Sequence, residues 1–299
     1  MTEPGAQALA VATLETDLDG ALELGGRALA WTEANARPLL ASASFSAEAL
    51  VLGSLQREDT LRDRSSARFN VRVARRWSTG TEAQLSGAVL YHALALPRVD
   101  ALYSDAKART LLNRNLRALL RGYTAAGVPL RYFGTEVLAL LGHPVALVGY
   151  DQTASGAVLI EVLVGLENPC VVRPALKREP PAALFSVLRQ SPPAHDLLCK
   201  AVSGVVDRLG ATPVDVAAAL PVTPGMTESL PRAAVASVPI PLGVVEAVRT
   251  PSVRITGDLL VSRAALARFE QSELLEALDN AALDGARASD LLQALSLAK

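Results

Sequence analysis

Cysteine is nearly absent from this sequence. Cys170 and Cys199 are the two in 299 residues, too few for a disulfide framework or a zinc site. Lysine is almost as scarce. Only Lys107, Lys177, Lys200 and Lys299 occur, so arginine carries most of the positive charge and a catalytic lysine must be one of these four. Formal net charge is −1, which argues against a general nucleic-acid or anionic-membrane binder. The opening residues, MTEPGAQALAVATLETD, have neither a basic region nor a continuous apolar core, so no secretory leader is expected. The most apolar region, 137–166, is interrupted by Gly142-His143-Pro144 and again over 151–156. Those are turn signals, so the region is expected to form strands and not a membrane span. There is no P-loop, no dinucleotide fingerprint and no His/Cys/Asp/Glu spacing that suits a metal. The expectation is a cytoplasmic protein with no membrane, nucleic-acid or metal partner.

What is present is a globular composition, 50% hydrophobic and 20% charged, in a chain long enough for one large domain and a small one. The Pro- and Gly-containing stretch PVTPGMTESLP at 221–231 has the composition of a linker. It places the division between 1–232 and 233–299. Apolar residues at helical spacing over 9–24, followed by Gly25-Gly26, predict a helix with a glycine stop. Strands are expected at 27–31 and 38–52. Ser104 and Asp105 are candidate N-caps for a helix whose apolar face holds Leu111, Leu112, Leu116, Leu119 and Leu120. A meander of strands follows at 130–133, 137–141, 145–150 and 157–165. Helices are expected at 182–189 and 195–209, and a further short one opening at Thr212-Pro213. A hairpin at 243–248 and 253–256 then precedes helices at 263–278 and 288–298. The class is α+β: a mixed sheet with packed helices, then a small C-terminal αβ unit.

The chain is organised around RRWSTGTEAQLSGAVLYHALALP, residues 75–97. Alternation over 69–74 predicts a strand leading in, and 90–96 one leading out. Between them Ser78, Thr79, Gly80 and Thr81 form a small-residue loop flanked by Arg75 and Arg76. Such a loop lets backbone N–H groups approach an anion, and guanidinium forks pair with phosphate. The same arginines also fit a strand end facing water. His92 falls in an apolar strand, where a satisfied core histidine is the commoner case, and His143 falls at a turn.

This stretch resembles the lipoyl-binding loop of the lipoate–protein ligase family, whose pattern is Arg-Arg, any residue, Ser and three glycines, leading to a strand that ends in Leu-Pro. Arg75, Arg76, Ser78, Gly80, Leu96 and Pro97 match without a gap. Thr79 and Thr81 stand where the first and third glycines would be, and Glu82 follows where the family has alanine. Leu52-Gly53-Ser54-Leu55-Gln56 is similar to the family's early Leu-Gly-x-x-Gln element. Gly257-Asp258 matches a turn of the family's accessory domain, with Leu259 in place of an aromatic residue. The resemblance implies a biotin/lipoate ligase-like fold and a vestigial pocket formed by Arg75, Arg76, Ser78, Gly80, Gly142 and His143. It also implies where chemistry is missing. The family's turn Gly-Arg-Lys-Ile corresponds to Gly142-His143-Pro144-Val145, so proline replaces the lysine that stabilises the transferring acyl and phosphoryl oxygens, a role that can contribute several kcal/mol. Thr135-Glu136 falls where the family has Asn-Asp. A carboxylate at Glu82 would repel an anionic ligand in the usual place.

Two functional expectations follow. One is a ligase-like protein without adenylating activity or cofactor, serving as a binding or assembly partner of a lipoyl-domain-like protein or an assembly subunit. The other is an active acyl-protein ligase or transferase using ATP and lipoate, with Cys170 or Lys177 in place of the lost group. Cys170 follows proline, as the nucleophile of the related octanoyltransferases does, but Val171 stands in place of the glycine of that motif.

Overall fold

The structure is a computed structural model. It describes residues 9–298 apart from 64, 135, 173–178, 210, 212–213, 224–233, 251, 273–277, 279–282 and 284–285. Lys177, Thr135 and most of the 221–231 stretch therefore lie outside the described residues.

The strands β1 (Ala10–Glu15), β2 (Leu39–Leu52), β3 (Arg72–Arg75), β4 (Ala83–Leu96), β5 (Arg131–Tyr132), β6 (Val137–Leu140), β7 (His143–Gln152), β8 (Val158–Gly165) and β9 (Val214–Asp215) form one sheet. Its order is β5-β6-β7-β8-β4-β2-β1-β9, with β3 added beside β2. β1 pairs in parallel with β2 and β9, and β3 in parallel with β2, whereas the other pairs are antiparallel. The expected mixed sheet is present. A second sheet, β10 (Ala234–Ile240), β11 (Gly243–Thr250) and β12 (Ser252–Gly257), carries the hairpin expected near the C-terminus. Its β10 was not expected, because 234–240 alternates too weakly to show a period of two.

Strand alternation divides the interior between the two faces of the large sheet. One face packs α1 (Leu18–Asn35) over Ala41, Ala43, Leu85, Tyr91, Leu159 and Leu163. The other packs α3 (Leu111–Ala125) and α5 (Ala194–Leu209) over Leu40, Leu90, Ile160 and Val162. The C-terminal residues Leu259, Leu260, Leu266 and Phe269 belong to this same second core. Short helices α2 (Glu58–Arg62) and α4 (Leu184–Leu188) lie in the connections, and α6 (Arg263–Ser272) and α7 (Ala288–Leu297) belong to the C-terminal unit. His92 is a core histidine as expected. Its Nδ1 is 2.9 Å from Ser42 Oγ and its Nε2 is 2.8 Å from Tyr123 Oη, which ties α3 to β4 and β2. Burial lowers its pKa to about 3, so the ring is neutral at physiological pH.

Three expectations are corrected. The segment 9–24 is a strand and the start of a helix, and α1 continues through Gly25-Gly26 and through 27–31. A true break does occur at Thr16-Asp17, where the Asp17 side chain accepts from Gly20 N at 2.9 Å and caps α1. The glycines are there for close approach. A Cβ on Gly25 would lie 2.3 Å from Glu161 Oε1 and 2.8 Å from Tyr91 Oη, and one on Gly26 would lie 2.4 Å from the Trp77 ring. The third helix starts at Leu111, after a 3-10 turn over Ala108–Thr110, and Asp105 pairs with Arg114 at 2.8 Å instead of capping it. The residues after Thr212-Pro213 form β9 and a 3-10 turn at Ala217–Ala219, not a short α-helix.

Gly25→Ala is expected to lower stability by about 2 kcal/mol or more. Overpacking against the sheet outweighs the roughly 1 kcal/mol by which alanine is favoured in a helix interior. Urea unfolding reads the sign, and a stabilised variant would mean that α1 does not approach the sheet at this point.

Candidate functional site

The small-residue loop between β3 and β4 is a buried polar junction. Arg76, Ser78, Thr79, Thr81 and Glu82 are all buried. Arg76 donates through Nε to Ser78 Oγ at 3.0 Å and through Nη2 to the Thr79 carbonyl at 3.1 Å. Ser78 N donates to Glu161 Oε2 at 2.5 Å, and the Tyr91 hydroxyl donates to Glu161 Oε1. Desolvation lowers the Arg76 pKa and raises that of Tyr91, while the charge of Glu161 acts to keep Arg76 protonated. The loop also needs a bare backbone opposite it. A Cβ on Gly149 of β7 would lie 1.9 Å from Ser78 Oγ and 2.7 Å from Arg76 Nε. Gly80 itself has φ +112, a conformation that side chains rarely adopt.

Thr79 does the most bonding. β6 pairs with β7 only as far as Leu147, and further along β7 the Thr79 backbone takes over by bridging Tyr150. Its hydroxyl lies 2.7 Å from the Tyr150 carbonyl and 3.0 Å from that of Val261, and it accepts from Val261 N at 3.0 Å. A glycine here could make none of these side-chain bonds. Thr79 is thus a staple between the loop, β7 and the C-terminal unit.

Neither arginine is a water-facing strand end: Arg76 is buried and Arg75 half-buried, and both donate to groups of the chain itself. Arg75 Nη1 donates to the carbonyls of Gly53 and Gln56, each at 2.7 Å, so it clamps the turn that carries the Leu-Gly-x-x-Gln element. Glu82 is satisfied within the protein. It accepts from Ser65 Oγ at 2.6 Å and from Gln56 Nε2 at 2.8 Å. Gln56 Nε2 also reaches Asp258 Oδ1 at 2.7 Å, and Asp258 Oδ2 accepts from Val244 N at 2.9 Å. Sequence reasoning missed this Glu82–Gln56–Asp258 chain, although Gln56 and Asp258 each lie in a motif that carries the resemblance. It also missed Glu161, which shows only as a carboxylate inside an otherwise apolar strand.

Gly142 and His143 are not brought to this junction. They form the tip of the β6–β7 hairpin, where Leu141 and Gly142 have φ 50 and 93. Thr79 bridges β7 seven residues further on, about 23 Å along an extended strand. His143 Nδ1 donates to the Pro180 carbonyl at 3.0 Å, and the carbonyl of buried Pro144 accepts from Ala182 N at 3.0 Å. Cys170 is buried, its thiol 3.5 Å from the carbonyls of Val145 and Leu163, and burial raises its pKa to about 11. At neutral pH only about one molecule in ten thousand would carry the thiolate that a nucleophile requires. Among the described residues no group of three or more His, Cys, Asp or Glu side chains can hold a metal ion, and no helix is long and apolar enough to cross a membrane.

Two outcomes test this geometry. Thr79→Ala should cost about 1–3 kcal/mol, because the buried Val261 N–H loses its acceptor; chemical denaturation measures it. A thiol reagent such as dithionitrobenzoate should label Cys199, which is exposed, and spare Cys170 until the chain is unfolded. Rapid labelling of both thiols in the native protein would contradict the burial of Cys170.

No family model matches the chain, and no curated protein matches it in sequence. Solved structures do. P. falciparum LipL1 in complex with lipoate is 9% identical with a TM-score of 0.61, and the match covers 88% of each chain. The bipartite lipoate protein ligase of Thermoplasma acidophilum, studied with its E2 lipoyl domain, is 12% identical with a TM-score of 0.52, covering 70% of this chain and 86% of that one. A lipoate-protein ligase A bound with ATP is 13% identical with a TM-score of 0.51, covering 70% and 88%. Identities this low carry architecture and not activity. Together with the sheet order and the buried loop between β3 and β4, they establish that this chain has the fold of the lipoate–protein ligases.

Proposed function

We propose that the chain is a lipoate-ligase-like protein without adenylating activity that serves as a binding or assembly partner. One observation carries the reading: the polar groups of the loop resembling the lipoyl-binding loop are engaged by the protein itself. The Arg76 fork is bonded to Ser78 and to the Thr79 carbonyl, and the Thr79 hydroxyl is tied to Tyr150 and Val261. A phosphate or carboxylate entering there would have to displace bonds already made in a desolvated setting. The position of the family's lysine supports the same reading. Pro144 has no charge to place, and its carbonyl is engaged by Ala182.

The residues present therefore do not fit ATP and lipoate bound as a ligase would hold them. A protein partner fits better. The archaeal neighbour is described with an E2 lipoyl domain, so a lipoyl-domain-like protein is the first class to test. The reading keeps the division at 232/233. The second part acts as a cover on the first, held by Thr79–Val261, Gln56–Asp258 and Asp151–Arg263.

With ATP, lipoate and an unmodified lipoyl domain, mass spectrometry should find no lipoylation above a control lacking the protein. Calorimetry should find no heat of binding for ATP, lipoate or lipoyl-adenylate. ATP-dependent lipoylation, or tight binding of lipoyl-adenylate, would sink the proposal and favour the reading of an active ligase with rearranged residues.

A further inference from the structure

The cations of this chain are unevenly placed. Among the described residues, about half of the exposed cations outside 106–135 have a carboxylate partner, such as Arg62 with Glu58, Arg68 with Glu48, Arg72 with Asp19 and Arg98 with Asp100. The segment 106–135 is different. It contains Lys107, Arg109, Arg114, Arg117, Arg121 and Arg131 and not one acidic residue, in a chain whose net charge is −1. Most of it is α3 and the turn that leads into it.

On α3 the apolar face, Leu111, Leu112, Leu116 and Leu119, is buried in the core. Arg114, Arg117 and Arg121 follow one another at spacings of three and four on the opposite face, a stripe about 10 Å long. Arg114 is paired with Asp105. Arg117 and Arg121 are exposed and have no ion pair among the described residues. This arrangement does nothing for the helix. Like charges four apart repel, the first turn has no acidic residue to meet the helix dipole, and the last turn has no basic one. A stripe that weakens its own helix, in a segment with no carboxylate of its own, fits an anionic partner from outside.

We infer that the outer face of α3 docks a partner protein presenting a row of carboxylates. Arginine forks pair with carboxylates in two parallel hydrogen bonds, which gives orientation as well as attraction. A nucleic acid is the poorer fit. The stripe is one helical face without interleaved aromatic side chains, on a body whose remaining charge is net acidic and repels a phosphate chain. The inference deepens the reading of a protein-binding molecule by naming the surface used. Its readout is separate, because α3 lies outside the loop junction: lipoylation activity would end that reading without altering a result for this face.

The test is fluorescence anisotropy with the full chain and two labelled probes. One is a peptide rich in Glu and Asp, and the other is a single-stranded oligonucleotide of equal formal charge. The peptide should bind more tightly than the oligonucleotide, and less tightly as salt rises toward about 0.15 M. Arg117→Glu with Arg121→Glu should weaken peptide binding about tenfold or more, whereas Arg117→Lys with Arg121→Lys should lose less, and Arg68→Glu should change nothing. Circular dichroism and the unfolding midpoint check that each variant is folded, since both positions are exposed. Three results would each overturn the inference: no peptide binding, binding unchanged by the charge reversal, or an oligonucleotide bound as tightly as the peptide.

Discussion

Burial of two opposite charges, Arg76 and Glu161, is the constraint to which much of this fold is fitted. Taking each charge out of water costs several kcal/mol, so both must be satisfied by bonds fixed in place. Glu161 receives the Ser78 amide and the Tyr91 hydroxyl, and Arg76 is held by Ser78 and the Thr79 carbonyl. These bonds need closeness that ordinary side chains would prevent. Gly25 lets α1 pass over the Glu161 carboxylate, and Gly149 lets the loop lie on β7. The glycines lie far apart in sequence, yet they answer one demand: room for two desolvated charges and the bonds that hold them.

The same junction joins the two ends of the chain. Thr79 reaches Val261, Gln56 reaches Asp258, and Gly257 N donates to the Leu55 carbonyl at 2.8 Å. Further out, Asp151 accepts from both the backbone and the side chain of Arg263, and Thr60 reaches Glu246 at 3.1 Å. Burial pushes the Asp151 pKa up, and the Arg263 contacts oppose that shift. Most of these links are polar and directional, and a shared apolar core through Leu259 and Leu260 lies beside them. Hydrogen bonds fix register where apolar contact alone would allow sliding. A loop built this way is held in one arrangement from several directions at once.

Much of the architecture was legible in the sequence. The turn signals that interrupt the apolar run over 137–165 gave the β6–β7–β8 meander, because strands buried on both faces still end at Gly-containing turns. The leucine spacing of α3 gave its buried face, and the match around 75–97 indicated the fold that the structural likenesses carry. The errors cluster where one residue type serves two purposes. Gly25-Gly26 reads as a helix stop by local propensity, and only the position of β8 makes it a contact surface.

The sequence by itself determined the class and most strand positions, since these follow from period and turn chemistry. It could not determine what the polar residues of the loop are bonded to. Thr79 and Glu82 have partners at Val261 and Gln56, 182 and 26 residues away. Only tertiary structure sets such distances. Whether a guanidinium faces a ligand or a carboxylate of its own protein depends on what the fold brings within about 3 Å, and the local sequence does not encode that.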